Sequence, residues 1–257
     1  MIDFIKELAL QAGEKSLEYF GNLKSGDVSG KSTEKDLVSI ADKAVEDFII
    51  CEIRKKFPDH GVFGEETGRS VSDSPYCWVI DPIDGTQNFV RTHPFYGISI
   101  ALFYEGAPIA GCVCAPALNR LFSAEKGKGA FDGNKRIYVT QCETPETACG
   151  ATGFADFRLN RINPTLKRFC QTAPVLKDVK RCGSAALDLA FTAAGIYDCF
   201  WEEGLGLYDV GAGMLLVTEA GGVILDYDGG NNIPQKGIIA ANPVLAKRIL
   251  PLLKTEN

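Results

Sequence analysis

The stretch Cys77-Trp-Val-Ile-Asp81-Pro-Ile-Asp84-Gly-Thr86 decides how the rest of the chain is read. Residues 77–80 have the apolar character of a short buried strand. They run without a linker into two aspartates three positions apart, with Pro82 setting a tight bend between them. The carbonyl of Ile83 is then available as an oxygen ligand. Gly85 lets the backbone approach an anion closely, and its N–H and that of Thr86 suit phosphate oxygens where they open a helix. A strand that ends in acids places them in the crevice outside its sheet, which points to layers of sheet and helix.

Outward from this stretch the pattern divides the chain. Upstream, Ile5, Leu8, Ala9, Ala12 and Leu17 recur at helical spacing, and residues 21–30 form a breaker-rich loop. A second helical stripe, through Ala41, Val45, Phe48, Ile49 and Ile53, covers 39–57 and is closed by Pro58 and Gly61. Downstream, 97–103 and 108–114 read as strands joined at Glu105-Gly106. Stretches 121–124 and 130–139 extend an antiparallel run, with Asp132-Gly133 as a turn. After Thr140 strands (151–154, 179–182, 196–202, 222–225, 237–241) alternate with helices (163–171, 185–194, 210–220, 244–253). The expectation is one domain with two halves, about 1–143 and about 144–257, built as an α+β or α/β layered sandwich.

Composition sets limits on the chemistry. The 257 residues include 33 Asp+Glu, 27 Lys+Arg and only 2 His, for a formal net charge of -6. An acidic chain is a poor general binder of nucleic-acid backbones. Two histidines, His60 and His93, cannot build a three-histidine zinc site and leave few routes to a Ser-His-Asp triad. No apolar run approaches the ~20 residues of a membrane span, and the N-terminus has no basic leader region. A cytoplasmic protein without membrane or nucleic-acid partners is expected. The 9 cysteines are odd in number and lack paired-knuckle spacing, so they read as reduced thiols in apolar surroundings, as at Cys51, Cys77 and Cys199. His60 reads as a solvated turn residue, and Lys177–Arg181 as a solvated basic edge. Lys126-Gly-Lys-Gly129 lacks the spacing of a nucleotide loop.

Carboxylates must therefore carry any catalysis, and they gather in three places. Glu65-Glu66 follows Val62-Phe63, Asp81 and Asp84 follow Trp78-Val-Ile80, and Asp209 opens the helical run 210–220. Taken singly, Asp-Pro-x-Asp-Gly reads equally as a surface turn, Glu65-Glu66 as a solvated pair and Asp209 as a helix cap. Together they make an oxygen-rich set without Cys or His. Crowded acids repel unless a cation joins them, and such a set favours Mg²⁺ above all, with Mn²⁺ or Ca²⁺ as alternatives. A Thr hydroxyl beside them can orient a water, which supplies the parts for metal-assisted phosphoryl transfer.

At these residues the sequence resembles the inositol monophosphatase family of Mg²⁺-dependent, lithium-sensitive phosphatases. The first motif is Trp78 to Phe89. The second is Tyr208-Asp-Val-Gly-Ala-Gly213 with Glu219-Ala-Gly-Gly222 behind it, and Gly183-Ser-Ala-Ala186 and Phe200-Trp-Glu202 lie between. The resemblance spans nearly the whole chain and implies a five-layer αβαβα fold. It implies that Glu65, Asp81, Asp84, Asp209 and the carbonyl of Ile83 hold two or three Mg²⁺ ions, with Ca²⁺ and Li⁺ inhibitory. Thr86 and Asp42 match the pair that activates the attacking water, and Glu66 an acid standing behind the ligands. Asp84, Gly85, Thr86, Gly183, Ser184, Ala185 and Glu202 match substrate contacts, and Lys31 a lysine on a loop near the site. Two departures are Tyr208, where the family usually has Trp, and the small apolar run Leu205-Gly206-Leu207.

The expected reaction is hydrolysis of a small polyol or sugar phosphate, first myo-inositol 1-phosphate, by a homodimer. Fructose 1,6-bisphosphate, alone or as a second substrate, is the alternative, with 3′-phosphoadenosine 5′-phosphate less favoured at Gln87-Asn88. A non-catalytic regulatory protein on the same fold, or a Ca²⁺-dependent sugar-binding module, would be a different class of answer.

Overall fold

The computed structural model describes residues 1–30, 37–157 and 162–254. Its helices are α1 (Ile2–Leu17), α2 (Ile40–Lys56), α3 (Thr86–Val90), α4 (Ile162–Thr172), α5 (Ala185–Ala193), α6 (Leu207–Glu219) and α7 (Pro243–Leu253). The strands are β1 (Val28–Gly30), β2 (Leu37–Ser39), β3 (Gly61–Gly64), β4 (Gly68–Arg69), β5 (Tyr76–Asp84), β6 (Gly97–Tyr104), β7 (Ala107–Ala115), β8 (Arg120–Glu125), β9 (Gly129–Asp132) and β10 (Lys135–Ile137). Beyond these come β11 (Cys149–Thr152), β12 (Asp178–Lys180), β13 (Cys199–Glu202), β14 (Val223–Leu225) and β15 (Ile238–Ala241). No described helix is long and apolar enough to cross a membrane.

An eight-stranded sheet, in the order β10-β9-β8-β7-β6-β5-β3-β4, forms the larger layer. It is buried on both faces, and the period-two alternation of its strands explains how. Trp78, Ile80, Ile98, Ile100, Leu102, Cys112 and Cys114 pack against α1 and α2. Their neighbours Val79, Ala101, Phe103, Val113 and Ala115 pack against α5 and α6. The second sheet, β12-β11-β13-β15-β14, repeats the arrangement. Ala151, Phe200, Ile238 and Ala240 face α5 and α6, while Cys199, Trp201, Ile239 and Ala241 face α7. The order of layers is thus helix, sheet, helix, sheet, helix, as expected from the sequence.

Several local readings change. The first sheet is not wholly antiparallel, because β3 runs parallel to β5. Leu17 ends α1 in solvent at 42% exposure, so the buried stripe stops at Ala12 and Ser16. Cys51 is exposed on the outer side of α2, although all nine cysteines are free as expected. His60 sits in the expected turn but is half-buried. It lies between Phe57 and Tyr76, with centroids 4.9 and 4.7 Å away, and its Nδ1 accepts the Trp78 indole N–H at 3.1 Å. Burial lowers its pKa, which keeps the ring neutral and able to accept. In the Lys126–Gly129 loop, Glu219 accepts the N–H groups of Gly127 and Gly129 at 2.7 and 2.8 Å.

Candidate active site

The ends of β3, β5 and β13 meet the N-termini of α3, α5 and α6 around a cavity of about 450 Å³. Glu65, Asp81, Ile83, Asp84, Gly85, Thr86, Gly183, Ala185, Glu202 and Asp209 all line it. Chain segments from both halves of the sequence therefore supply one site.

The bend foreseen at Pro82 is a β-bulge. Asp81 pairs with Ser99 and Asp84 with Gly97, so β5 advances three residues while β6 advances two. On a regular strand, side chains three apart face opposite ways; one extra residue brings both aspartates to the same side. Ile83 turns the other way and is fully buried with Ala41, Phe89 and Tyr96. Asp209, in the first turn of α6, completes the group. Asp81, Asp84 and Asp209 are all buried, and each offers a carboxylate oxygen within 4.8 Å of the others.

Electrostatics at this cluster call for a cation. Burial, then the charges of Glu65, Asp84 and Asp209, push the Asp81 carboxyl well above its usual range. Burial pushes Asp84 up to about 7, although hydrogen bonds from Ser184 and Ala186 act in the opposite direction. Ser184 Oγ and the Ala186 N–H both donate to Asp84 Oδ2 at 2.6 Å. Ser184 is 1% exposed and caps α5, so it stands behind Asp84 and does not line the cavity. A hard divalent cation fits this all-oxygen donor set and would relieve the repulsion.

Thr86 opens α3 after Gly85, whose φ of +99° suits glycine. A Cβ at Gly85 would also come within 3.0 Å of the Gly183 carbonyl, so the two loops approach as closely as they do only with glycine there. Thr86 Oγ1 lies 3.2 Å from Asp42 Oδ1 and 3.3 Å from the Ile83 carbonyl. Asp42 is fully buried in the first turn of α2, where its Oδ2 accepts the N–H and hydroxyl of Ser39 at 2.8 and 2.6 Å. Glu66 is half-buried and does not line the cavity. On the far wall Glu202 is 7% exposed and accepts the Ala155 N–H at 2.9 Å. Lys31 lies outside the described residues.

Sequence reasoning missed several residues. Asn88 donates to the carbonyls of Phe95 and Cys182, at 2.6 and 2.7 Å, and so ties α3 to the Gly183 loop. Arg91, Arg181, Phe154 and Phe157 also line the cavity. The two phenylalanine rings stack at 4.8 Å, with the Arg181 guanidinium 6.0 Å from the Phe154 ring. Glu46 is fully buried, one helical turn beyond Asp42. Its place four residues after Asp42, at the border of the stripe Ala41-Val45-Ile49, was the available signal.

The model of the inositol monophosphatase family matches residues 1–257. An inositol-1-monophosphatase of Mesorhizobium japonicum is 36% identical over 257 residues, covering 99% of this chain and 96% of that protein. A protein of Pseudomonas aeruginosa named Nus factor SuhB is 36% identical over 260 residues, with the same coverage of 99% and 96%. Among solved structures, the extragenic suppressor protein suhB of Bartonella henselae superposes with a TM-score of 0.91 at 37% identity, covering 98% of this chain and 97% of that one.

Proposed function

The chain belongs to the inositol monophosphatase family of phosphoric monoester hydrolases, and from that premise we propose that it hydrolyses a small polyol phosphate, with myo-inositol 1-phosphate as first substrate. The observation that carries this reading is the convergence of Asp81, Asp84 and Asp209 within 4.8 Å, beside the Thr86–Asp42 pair.

Glu65, Asp81, Asp84, Asp209 and the Ile83 carbonyl would hold two or three Mg²⁺ ions, with Mn²⁺ as a substitute. When bound, such ions supply Lewis-acid polarisation of phosphoryl oxygens and lower the pKa of water. The chain's own residues do the rest. The first N–H groups of α3 have no intrahelical acceptor and are offered to phosphate oxygens from the cavity wall. Thr86 Oγ1 accepts a proton from the attacking water and passes its own toward Asp42, which orients the water for in-line attack on phosphorus. The alkoxide leaves as the new P–O bond forms and takes its proton from solvent, so no phosphoenzyme is required. Glu202 and the loop at Gly183 and Ala185 meet the substrate's hydroxyls.

A second reading, a sugar bisphosphate such as fructose 1,6-bisphosphate, is favoured by Arg91 and Arg181 on the same cavity. These guanidiniums suit a second anionic group on the leaving alcohol. A purely regulatory role is the weaker reading, because the full set of acids is present. Phosphate release over myo-inositol 1-phosphate, fructose 1,6-bisphosphate and 3′-phosphoadenosine 5′-phosphate, with Mg²⁺, EDTA or added Li⁺, tests these readings. Mg²⁺-dependent turnover of the first supports the main reading. No release from any ester would overturn it.

A further inference from the structure

Glu46 presents a problem that its own helix does not solve. It projects from α2 into the interior with 0% exposure, and no described Lys or Arg pairs with it. A buried carboxylate needs hydrogen-bond donors to offset its lost hydration. Glu46 finds them in the turn after β3. Its Oε2 accepts the N–H of Glu66 at 3.1 Å, and its Oε1 accepts the N–H of Thr67 at 2.8 Å. The preceding amide, that of Glu65, donates to the Ile80 carbonyl of β5 at 3.1 Å. Three successive amides of one turn are thereby held, one by the neighbouring strand and two by a single side chain. The chain also makes room for that carboxylate, since a Cβ at Gly64 would lie 2.6 Å from its Cδ and both oxygens.

We propose that Glu46 is a positioning residue that fixes the Glu65 turn and so sets cation affinity at the cluster. The inference rests on the cation-dependent reading of the site. It gives α2 two tasks one turn apart: Asp42 orients Thr86, and Glu46 orients Glu65. A residue that held the turn only for stability would leave cation binding unchanged.

The test is Mn²⁺ binding, followed by electron paramagnetic resonance, in the wild type, Glu46→Gln and Gly64→Ala. Glu46→Gln keeps the size but turns an amide NH₂ against a backbone N–H. Gly64→Ala leaves Glu46 in place and displaces its carboxylate. Groups that orient metal ligands alter affinity by about 10- to 100-fold when mutated. A loss of that size is expected for one class of Mn²⁺ site in both variants. Hydrogen exchange should quicken at the Glu66 and Thr67 amides and stay slow in β5 and β6. Glu46→Asp, too short to reach both amides, serves if Glu46→Gln does not fold. Unchanged Mn²⁺ affinity in the folded variants, whatever their melting temperature, overturns the proposal. A wild type that binds no Mn²⁺ would overturn the underlying reading instead.

Discussion

Thr86 Oγ1 and Asp42 Oδ1 stand 3.2 Å apart, although 44 residues separate them in the chain. The same aspartate caps α2 through Ser39, so its position is set by helix geometry before any substrate arrives. Asp42→Asn retains capping ability but cannot take a proton from Thr86. It should lower kcat by about 10²- to 10⁴-fold with little change in KM. A steady-state comparison with myo-inositol 1-phosphate, alongside melting curves, checks this; wild-type kcat would remove Asp42 from the mechanism.

Asp209 reaches the cluster from α6, a layer away from the strand that carries Asp81 and Asp84. Asp209→Asn should abolish Mg²⁺-dependent phosphate release and leave the circular dichroism spectrum unchanged. It should also raise the melting temperature in EDTA, because one of several crowded charges is removed. A fully active Asp209→Asn variant would sink the cation-site assignment.

Ser184 donates to Asp84 and also accepts the Leu187 N–H at 3.3 Å as the cap of α5. Ser184→Ala removes both contacts. The lost cap should cost about 1 kcal/mol of stability. The lost donor lets the Asp84 carboxyl rise above its present value of about 7, so more of it is protonated near neutrality. The Mg²⁺ concentration for half-maximal activity should increase at pH 7 and return toward the wild-type value at pH 9. Equal Mg²⁺ requirements at both pH values would contradict this.

Asp188, on α5, is 1% exposed, and its Oδ1 has no hydrogen-bond partner among the described residues. Burial, followed by the charges of Glu202 and Asp84, pushes its carboxyl well above the usual range. The folded state therefore holds a proton that the unfolded state releases above about pH 4. Such a group stabilises the fold at low pH and does so less as pH rises toward its folded pKa. Asp188→Asn removes this dependence. In EDTA, the melting temperature of the variant should gain on the wild type as pH increases from about 5 to 9. Parallel curves would show that Asp188 titrates normally.

What was legible from sequence lay where a pattern broke. Asp81, Asp84 and Asp209 stand at the junction of apolar runs and turns, and Thr86 follows a glycine, so their places were marked. Glu46 gives no such mark. It is followed by Asp47 on the same helix, and only its place beside the stripe Ala41-Val45-Ile49 sets it apart before tertiary structure turns it inward. Pro58-Asp-His-Gly61 is the turn its chemistry indicates, but the stacking of His60 on Tyr76 of β5 depends on tertiary structure. The parallel pairing of β3 with β5 depends on the course of the connection between them, which periodicity does not encode. Arg181 belongs to a basic edge by composition, yet it follows β12 and its guanidinium comes to lie over Gly183.

The five layers bear on how the enzyme regains activity after unfolding. Glu65, Asp81 and Asp84 come from the first sheet, Asp209 from the helices between the sheets, and Glu202 from the second sheet. No pair of neighbouring layers contains the whole site. Contacts between residues so distant in sequence form late, because loop closure must precede them. Asp42 adds the outer layer of α2, so catalysis reports the docking of four of the five layers. On dilution from denaturant, phosphatase activity should return after the far-ultraviolet signal, making turnover a more stringent measure of native structure than helix content.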